Sequence, residues 1–196
     1  MKALHLVGPP PYQTNSFLLI SSENRAILID PAVPAARVNK LLEEKTATLS
    51  MILLTHGHFD HVTYVKELAQ AWKCPVYLDQ QDARGNQLYP IKMDTLEYTE
   101  GGRVELDDIS ITTWHTPGHS KGSWLLLCGD LLFCGDTLFA GDVGRTDLEG
   151  GSPAEQKQSL AKIKELPIDP QVQVLPGHGP FSTLQQELEA NPYLMF

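Results

Sequence analysis

The densest chemistry in this sequence is Thr55-His56-Gly57-His58-Phe59-Asp60-His61, where four potential metal ligands fall within six residues. Imidazole and carboxylate together suit zinc, iron or manganese, and no thiolate stands in the run to favour a closed structural zinc site. On a helix, His56, His58 and Asp60 would scatter around the circumference, whereas a loop can turn each of them inward. The run follows the apolar stretch Met51-Ile52-Leu53-Leu54, which reads as a strand buried on both faces. A solvated polar loop is the plain alternative, and the density of ligand types argues against it.

Three later residues stand in similar settings. His119 follows Thr116-Pro117-Gly118, Asp136 follows Leu132-Phe133-Cys134-Gly135, and His178 lies in Pro176-Gly177-His178-Gly179. Each time a strand pattern delivers one ligand-type side chain through a turn containing glycine, which permits close backbone approach. Taken alone, each is an ordinary polar residue. Together with the first cluster they make seven ligands, enough for two metal ions sharing one carboxylate, and they use five of the seven histidines.

The elements that must position these residues alternate along the chain. Residues 3–7, 16–20 and 26–29 read as strands, and a helix is expected near 35–45 with Val38, Leu41 and Leu42 on one face. After the His-rich loop, Val62, Val65, Leu68, Ala69 and Trp72 recur at near-helical spacing, and Pro75–Leu78 returns as a strand. Residues 80–100 are read as a short helix and a loop. From residue 103 the pattern turns to hairpins: 103–106, 109–114, 124–128 and 131–134. Ser152-Pro153-Ala154-Glu155 has the form of a capping box opening a helix to about 166, followed by a strand at 172–175 and a helix at 184–190. Two similar batches of strands and helices imply two packed sheets with helices outside.

Composition narrows the function classes. The chain has 196 residues, 42% of them hydrophobic and 20% charged, which excludes a disordered chain. A net charge of -9 repels polyanions, so nucleic acid is not expected as a partner. No apolar stretch approaches the roughly 20 residues of a membrane helix. The start shows no signal-peptide pattern, so a cytoplasmic location is expected. Cys74, Cys128 and Cys134 form no C-x-x-C pair and are read as buried, unreactive thiols.

The set His56-x-His58-x-Asp60-His61, His119, Asp136 and His178 resembles the metallo-β-lactamase superfamily over most of the chain, from about Asn15 to Pro192. The segment Gly135–Asp147, with Pro176-Gly177-His178-Gly179-Pro180 and Asn191-Pro192, resembles more narrowly the glyoxalase II group, in its short bacterial type. The resemblance implies one α/β domain across 1–196, an αββα sandwich of two mixed sheets flanked by helices, with the metals at one edge. It implies two divalent ions, zinc first, with iron or manganese also fitting. His56, His58 and His119 would hold the first ion, Asp60, His61 and His178 the second, and Asp136 would bridge them. Asp30 and Thr55 would orient the ligands, although Asp30 could instead cap the following helix.

The implied activity is hydrolysis of a small-molecule thioester such as S-lactoylglutathione, with a hydroxide between the ions as nucleophile and Asp60 taking its proton. Arg145 is the best basic candidate for a substrate carboxylate, unless it only pairs with Asp142 or Asp147. The chain departs from the family at Thr63-Tyr64, where glycine is usual. Tyr64 either narrows the pocket or packs at the helix start. The sequence ends at Phe196 without the helical segment that supplies much of the glutathione contact in longer relatives, so tolerance of other carrier thiols is expected. His5 is read as structural and His115 as a histidine of the core or one supporting His119. A persulfide dioxygenase with a single iron on two histidines and a carboxylate is the main rival. A metal-dependent nuclease and a non-catalytic metalloprotein fit less well.

Overall fold

Five strands form the first sheet of the computed structural model, which describes residues 1–85 and 91–195. They are β1 (Lys2–Val7), β2 (Asn15–Ile20), β3 (Arg25–Ile29), β4 (Thr48–Leu53) and β5 (Val76–Tyr77), in that spatial order. β1 to β3 pair antiparallel, while β3, β4 and β5 run parallel. Parallel neighbours need crossovers. One is α1 (Ala35–Lys45), which buries Ala35, Val38 and Leu42 and ends where Thr46 turns left-handed.

The other crossover differs from the expected single helix. It is split into α2 (Phe59–Val62) and α3 (Val65–Trp72). Tyr64 leaves helical angles (φ -109°, ψ 10°), and its N–H turns to the Pro31 carbonyl at 3.1 Å. Asp60 and His61 therefore sit on a short helix rather than in the loop that carries His56 and His58. α4 (Gln80–Gly85) follows β5 as the expected short helix. Part of the loop expected after it, residues 86–90, lies outside the described residues.

The second sheet contains β6 (Arg103–Leu106), β7 (Ile109–His115), β8 (Trp124–Cys128) and β9 (Leu131–Gly135) as antiparallel neighbours. A small hairpin of β10 (Leu138–Phe139) and β11 (Asp142–Val143), not foreseen in the sequence, precedes α5 (Pro153–Glu165). Ser152 caps α5 through the Glu155 N–H, but its own N–H goes to the Gly118 carbonyl, so the reciprocal half of the box does not form. β12 (Gln173–Pro176) then adds parallel to β9, and β13 (Ser182–Thr183) pairs outside it. α6 (Leu184–Ala190) carries a complete capping box at Thr183 and Gln186.

Alternation in the strands builds three apolar layers. Leu18 and Leu28 face α1 and α3, while their neighbours Phe17, Leu19, Ile27 and Ile29 face Trp124, Leu126 and Phe133 of the second sheet. Leu125, Leu132 and Val174 point away, toward Leu160 and Ile163 of α5. A sheet covered on both faces explains why β2 and β3 read as continuous apolar runs. Each such side chain contributes about 1.5–3 kcal/mol on leaving water, so apolar surface holds the layers together and the strand ends can carry polar groups. Two mixed sheets packed together and flanked by helices are the α/β sandwich expected from the sequence. Among the described residues no helix is long and apolar enough to cross a membrane.

β3 and β4 are parallel, and β7, β9 and β12 also share one direction within their sheet. Their C-terminal ends therefore gather in each sheet, the usual place for chemistry in α/β folds. Hydrogen bonds join the two gathered ends. Trp124 N donates to Thr55 O at 2.8 Å and Asn15 N to Gly177 O at 2.7 Å.

Candidate metal centre

Asp30 ends β3 in the left-handed region (φ 49°), which an Asp tolerates better than most residues. Its carboxylate does not cap α1, whose cap position is Pro34. Instead Oδ1 accepts Thr55 N at 2.8 Å, and Oδ2 accepts both Thr55 Oγ1 at 2.6 Å and His61 Nδ1 at 2.9 Å. Because the Thr55 hydroxyl spends its proton on Asp30, its oxygen must accept from His56 Nδ1 at 3.2 Å. His119 Nδ1 donates to the Arg145 carbonyl at 2.8 Å and His178 Nδ1 to the Tyr12 carbonyl at 3.1 Å. Four rings thus have their Nδ1 protons fixed outward and their Nε2 atoms directed inward.

The structure brings all seven predicted residues together. His58 Nδ1 lies 3.1 Å from His56 Nε2 and 2.7 Å from His119 Nε2. One ring proton cannot serve both contacts. His178 Nε2 lies 3.1 Å from Asp60 Oδ2 and 3.4 Å from His61 Nε2. Asp136 stands between the two groups, with Oδ1 3.4 Å from His61 Nε2 and Oδ2 3.4 Å from His119 Nε2. The sets His56/His58/His119, His56/His61/Asp136 and Asp60/His61/His178 each converge within 4.8 Å. Asp136 Oδ1 is buried and accepts no hydrogen bond among the described residues, a costly state that a cation would relieve. A Cβ on Gly177 would stand 2.3 Å from that oxygen, so glycine is needed for the close approach.

Electrostatics separate the two groups. Burial and neighbouring imidazoles push His56 down, and burial with His119 and His61 takes His58 to about 4, so both rings are neutral at neutral pH. Burial also lowers His119, against the pull of Asp136. Burial would likewise lower His61, but the Asp136 and Asp30 carboxylates outweigh it and raise it. His178 is raised in the same way by Asp60 and Asp136. Asp60 and Asp136 would be pushed up by burial, yet His178 and His61 hold them low. The carboxylates of the second group thus favour protons on His61 and His178, which a divalent cation would have to displace.

A cavity of about 730 Å³ opens beside the centre. Tyr12, Phe59, Phe139, Val143 and Leu148 give it an apolar lining, with Lys121 and Arg145 among its polar residues. Arg145 is exposed and forms a two-pronged pair with Asp147, not with Asp142, at 2.6 and 2.8 Å. Tyr64 packs against the core under α1 and α3 and is not part of the cavity wall. His5 bonds Asn15 Oδ1 at 2.8 Å and stacks on Phe17, in keeping with a structural role. His115 neither joins the core nor supports His119: its Nε2 meets the Lys121 carbonyl at 2.7 Å and its ring lies on Trp124. Cys128 and Cys134 are buried and Cys74 is half-buried.

Several supporting residues escaped the sequence reading. Thr14 Oγ1 donates to Asp60 Oδ2 at 2.7 Å, and Asn15 Nδ2 holds the turn before His178 through the Pro176 carbonyl at 2.9 Å. Gln156 of α5 donates to the Thr137 carbonyl, next to Asp136, at 2.8 Å. The polar turn Tyr12–Asn15 between the first two strands is the one sequence signal for Thr14 and Asn15.

The family model described as the metallo-beta-lactamase superfamily matches residues 9–178. The chain is 36% identical to the probable metallo-hydrolase YqgX of Bacillus subtilis, over 94% of this chain and 93% of that one. It is 30% identical to the hydroxyacylglutathione hydrolase GloC of Haemophilus influenzae, over 97% of each. Among solved structures, the BLEG-1 B3 metallo-beta-lactamase aligns with a TM-score of 0.88 at 31% identity, covering 100% of both chains. TTHA1623 in a di-iron-bound form aligns with a TM-score of 0.83 at 35% identity, covering 97% of this chain and 100% of that one.

Proposed function

Since the chain belongs to the metallo-beta-lactamase superfamily and is a metal-dependent hydrolase of that superfamily, we propose that its reaction is thioester hydrolysis of the glyoxalase II type. One observation carries the reading. The Asp136 carboxylate, with an orphaned buried oxygen, stands between two convergent sets of ligands beside an apolar cavity. His56, His58 and His119 would hold one ion, Asp60, His61 and His178 another, and Asp136 would serve both. Two divalent ions, zinc by preference, would supply a hydroxide nucleophile at neutral pH and polarise the carbonyl.

The chain's own residues then have little left to do. Asp60 Oδ2 is engaged by Thr14 and His178, but Oδ1 has no hydrogen bond among the described residues, and Asp60 lines the cavity. That oxygen would accept the proton released as water ionises to the hydroxide nucleophile. A thiol leaving group with a pKa near 8.5 departs as thiolate without a strong general acid. Tyr12, Phe59 and Phe139 exclude water around the bound ester, and Arg145 turns from Asp147 to an acidic group of the substrate.

The test is a metal count on the purified protein alongside a panel of acyl thioesters. Two ions per chain and hydrolysis of S-lactoylglutathione or a related thioester are expected. A fully active protein with a single iron, consuming oxygen with a persulfide, would replace this reading with the dioxygenase.

A further inference from the structure

We propose that Asp82 is the positioning residue of the His56/His58/His119 set, one carboxylate tying together the two chain segments that carry these histidines. The inference rests on the reading of that set as a metal site. Asp82 lies in α4, which contributes no ligand, and its side chain is buried. Its Oδ2 accepts Gly57 N at 2.7 Å and Ser120 Oγ at 2.8 Å, and its Oδ1 accepts Gly122 N at 2.7 Å. Gly57 is the residue between His56 and His58, and Ser120 is the residue after His119. The first segment leaves the first sheet after β4, and the second leads into β8 of the second sheet. Asp82 therefore spans the seam at the point where His58 Nδ1 and His119 Nε2 stand 2.7 Å apart.

The fit is close. A Cβ on Gly57 would meet Asp82 Cβ at 2.8 Å, and one on Gly122 would meet Asp82 Cγ at 2.6 Å. The helix that presents Asp82 is itself anchored, because Asp82 N donates to Asp79 O at 3.1 Å and Asp79 Oδ2 accepts Trp124 Nε1 at 3.0 Å. Among the described residues no lysine, arginine or histidine forms an ion pair with Asp82, so both its oxygens are spent on these loop donors. None of its bonds goes to α2, which carries Asp60 and His61, or to the turn that carries His178. A change at Asp82 should therefore disturb one ion position and spare the other.

The experiment compares the full-length wild type with Asp82→Ala and Asp82→Asn, using zinc in chelator competition and cobalt(II) as a visible probe. The wild type should bind two ions. Asp82→Ala should bind one of them about 10- to 100-fold more weakly, the usual cost of losing a group that orients ligands, and leave the other unchanged. The cobalt bands of the weakened position should shift, reporting altered ligand geometry. Asp82→Asn keeps one acceptor oxygen and sets an amide donor against the remaining N–H, so it should fall between. Should Asp82→Ala not fold, Asp82→Asn and Ser120→Ala give the same ordering, the latter removing the His119-side hydroxyl bond together with its contact to Ser123 Oγ at 2.7 Å. Equal weakening of both ions, as a merely structural role would give, or no weakening at all, would overturn the proposal while leaving the two-metal reading standing. A wild type that binds no ion on this set would overturn both.

Discussion

His61 is held to Asp30 by a 2.9 Å bond from Nδ1 to Oδ2, with both side chains buried. The same Oδ2 takes the Thr55 hydroxyl, whose oxygen in turn receives His56 Nδ1. One carboxylate outside both ligand sets thus sets the ring orientation of a residue in each.

Asp30→Asn should keep the fold, because Asn also tolerates a left-handed backbone. The amide keeps only one acceptor oxygen, so its NH2 would face either Thr55 N or the Thr55 Oγ1 and His61 Nδ1 donors. Metal affinity should fall about 10- to 100-fold, at both positions. Chelator competition beside a circular dichroism melt checks this, and unchanged affinity would reduce Asp30 to a role in the strand end alone.

Asp136→Asn retains shape but loses the charge that would offset two nearby cations, in a site where repulsion is poorly screened. The variant should fold, lose part of its metal and hydrolyse thioesters at least about a hundredfold more slowly. Asp142→Asn should be nearly silent: its Oδ1 only accepts the next N–H, from Val143, at 2.8 Å, and Asn can do the same. Near-normal turnover and full metal in Asp136→Asn would remove the bridging role.

The contrast between Asp136 and Asp82 marks what could be read from the sequence. Asp136, His119 and His178 each follow an apolar run and a glycine, so the local pattern exposes them. Asp82 has no such flank, and its partners lie 25, 38 and 40 residues away, a proximity that only the folded chain creates. The same reason accounts for the fold-level differences. Apolar period located the strands of both sheets except the short polar β13, since burial on two faces writes itself into composition. The break at Tyr64 depends on the distant Pro31 carbonyl, and the half-formed box at Ser152 on the Gly118 carbonyl. Tertiary hydrogen bonds took backbone groups that local rules had assigned elsewhere.

Arg145→Ala separates the side chain from the backbone. The Arg145 carbonyl that holds His119 stays, so metal content should not change. If the guanidinium binds a substrate carboxylate, KM for acidic thioesters should rise about tenfold with kcat preserved, while neutral thioesters are unaffected. Identical behaviour of both substrate types would leave Arg145 with its Asp147 pair alone.

Burial pushes the Cys74 thiol up to about 11. A raised pKa leaves little thiolate at neutral pH, so alkylation by iodoacetamide at pH 8 should be slow. Its rate should climb with each pH unit and level off only near 11, as followed by mass spectrometry of the Cys74 peptide. A plateau near pH 9 would mark an ordinary exposed thiol.

The seven candidate ligands are divided between the sheets: four follow β4 in the first, and three follow β7, β9 and β12 in the second. Ions held there would act as rivets through the seam of the molecule. At a free-metal level a hundred times its dissociation constant, each ion would add about 2.7 kcal/mol against unfolding. Occupancy and endurance would then be one quantity. A cell short of metal would be left with a protein that is idle and also sooner opened and degraded, so its amount would follow the supply of the ion it uses.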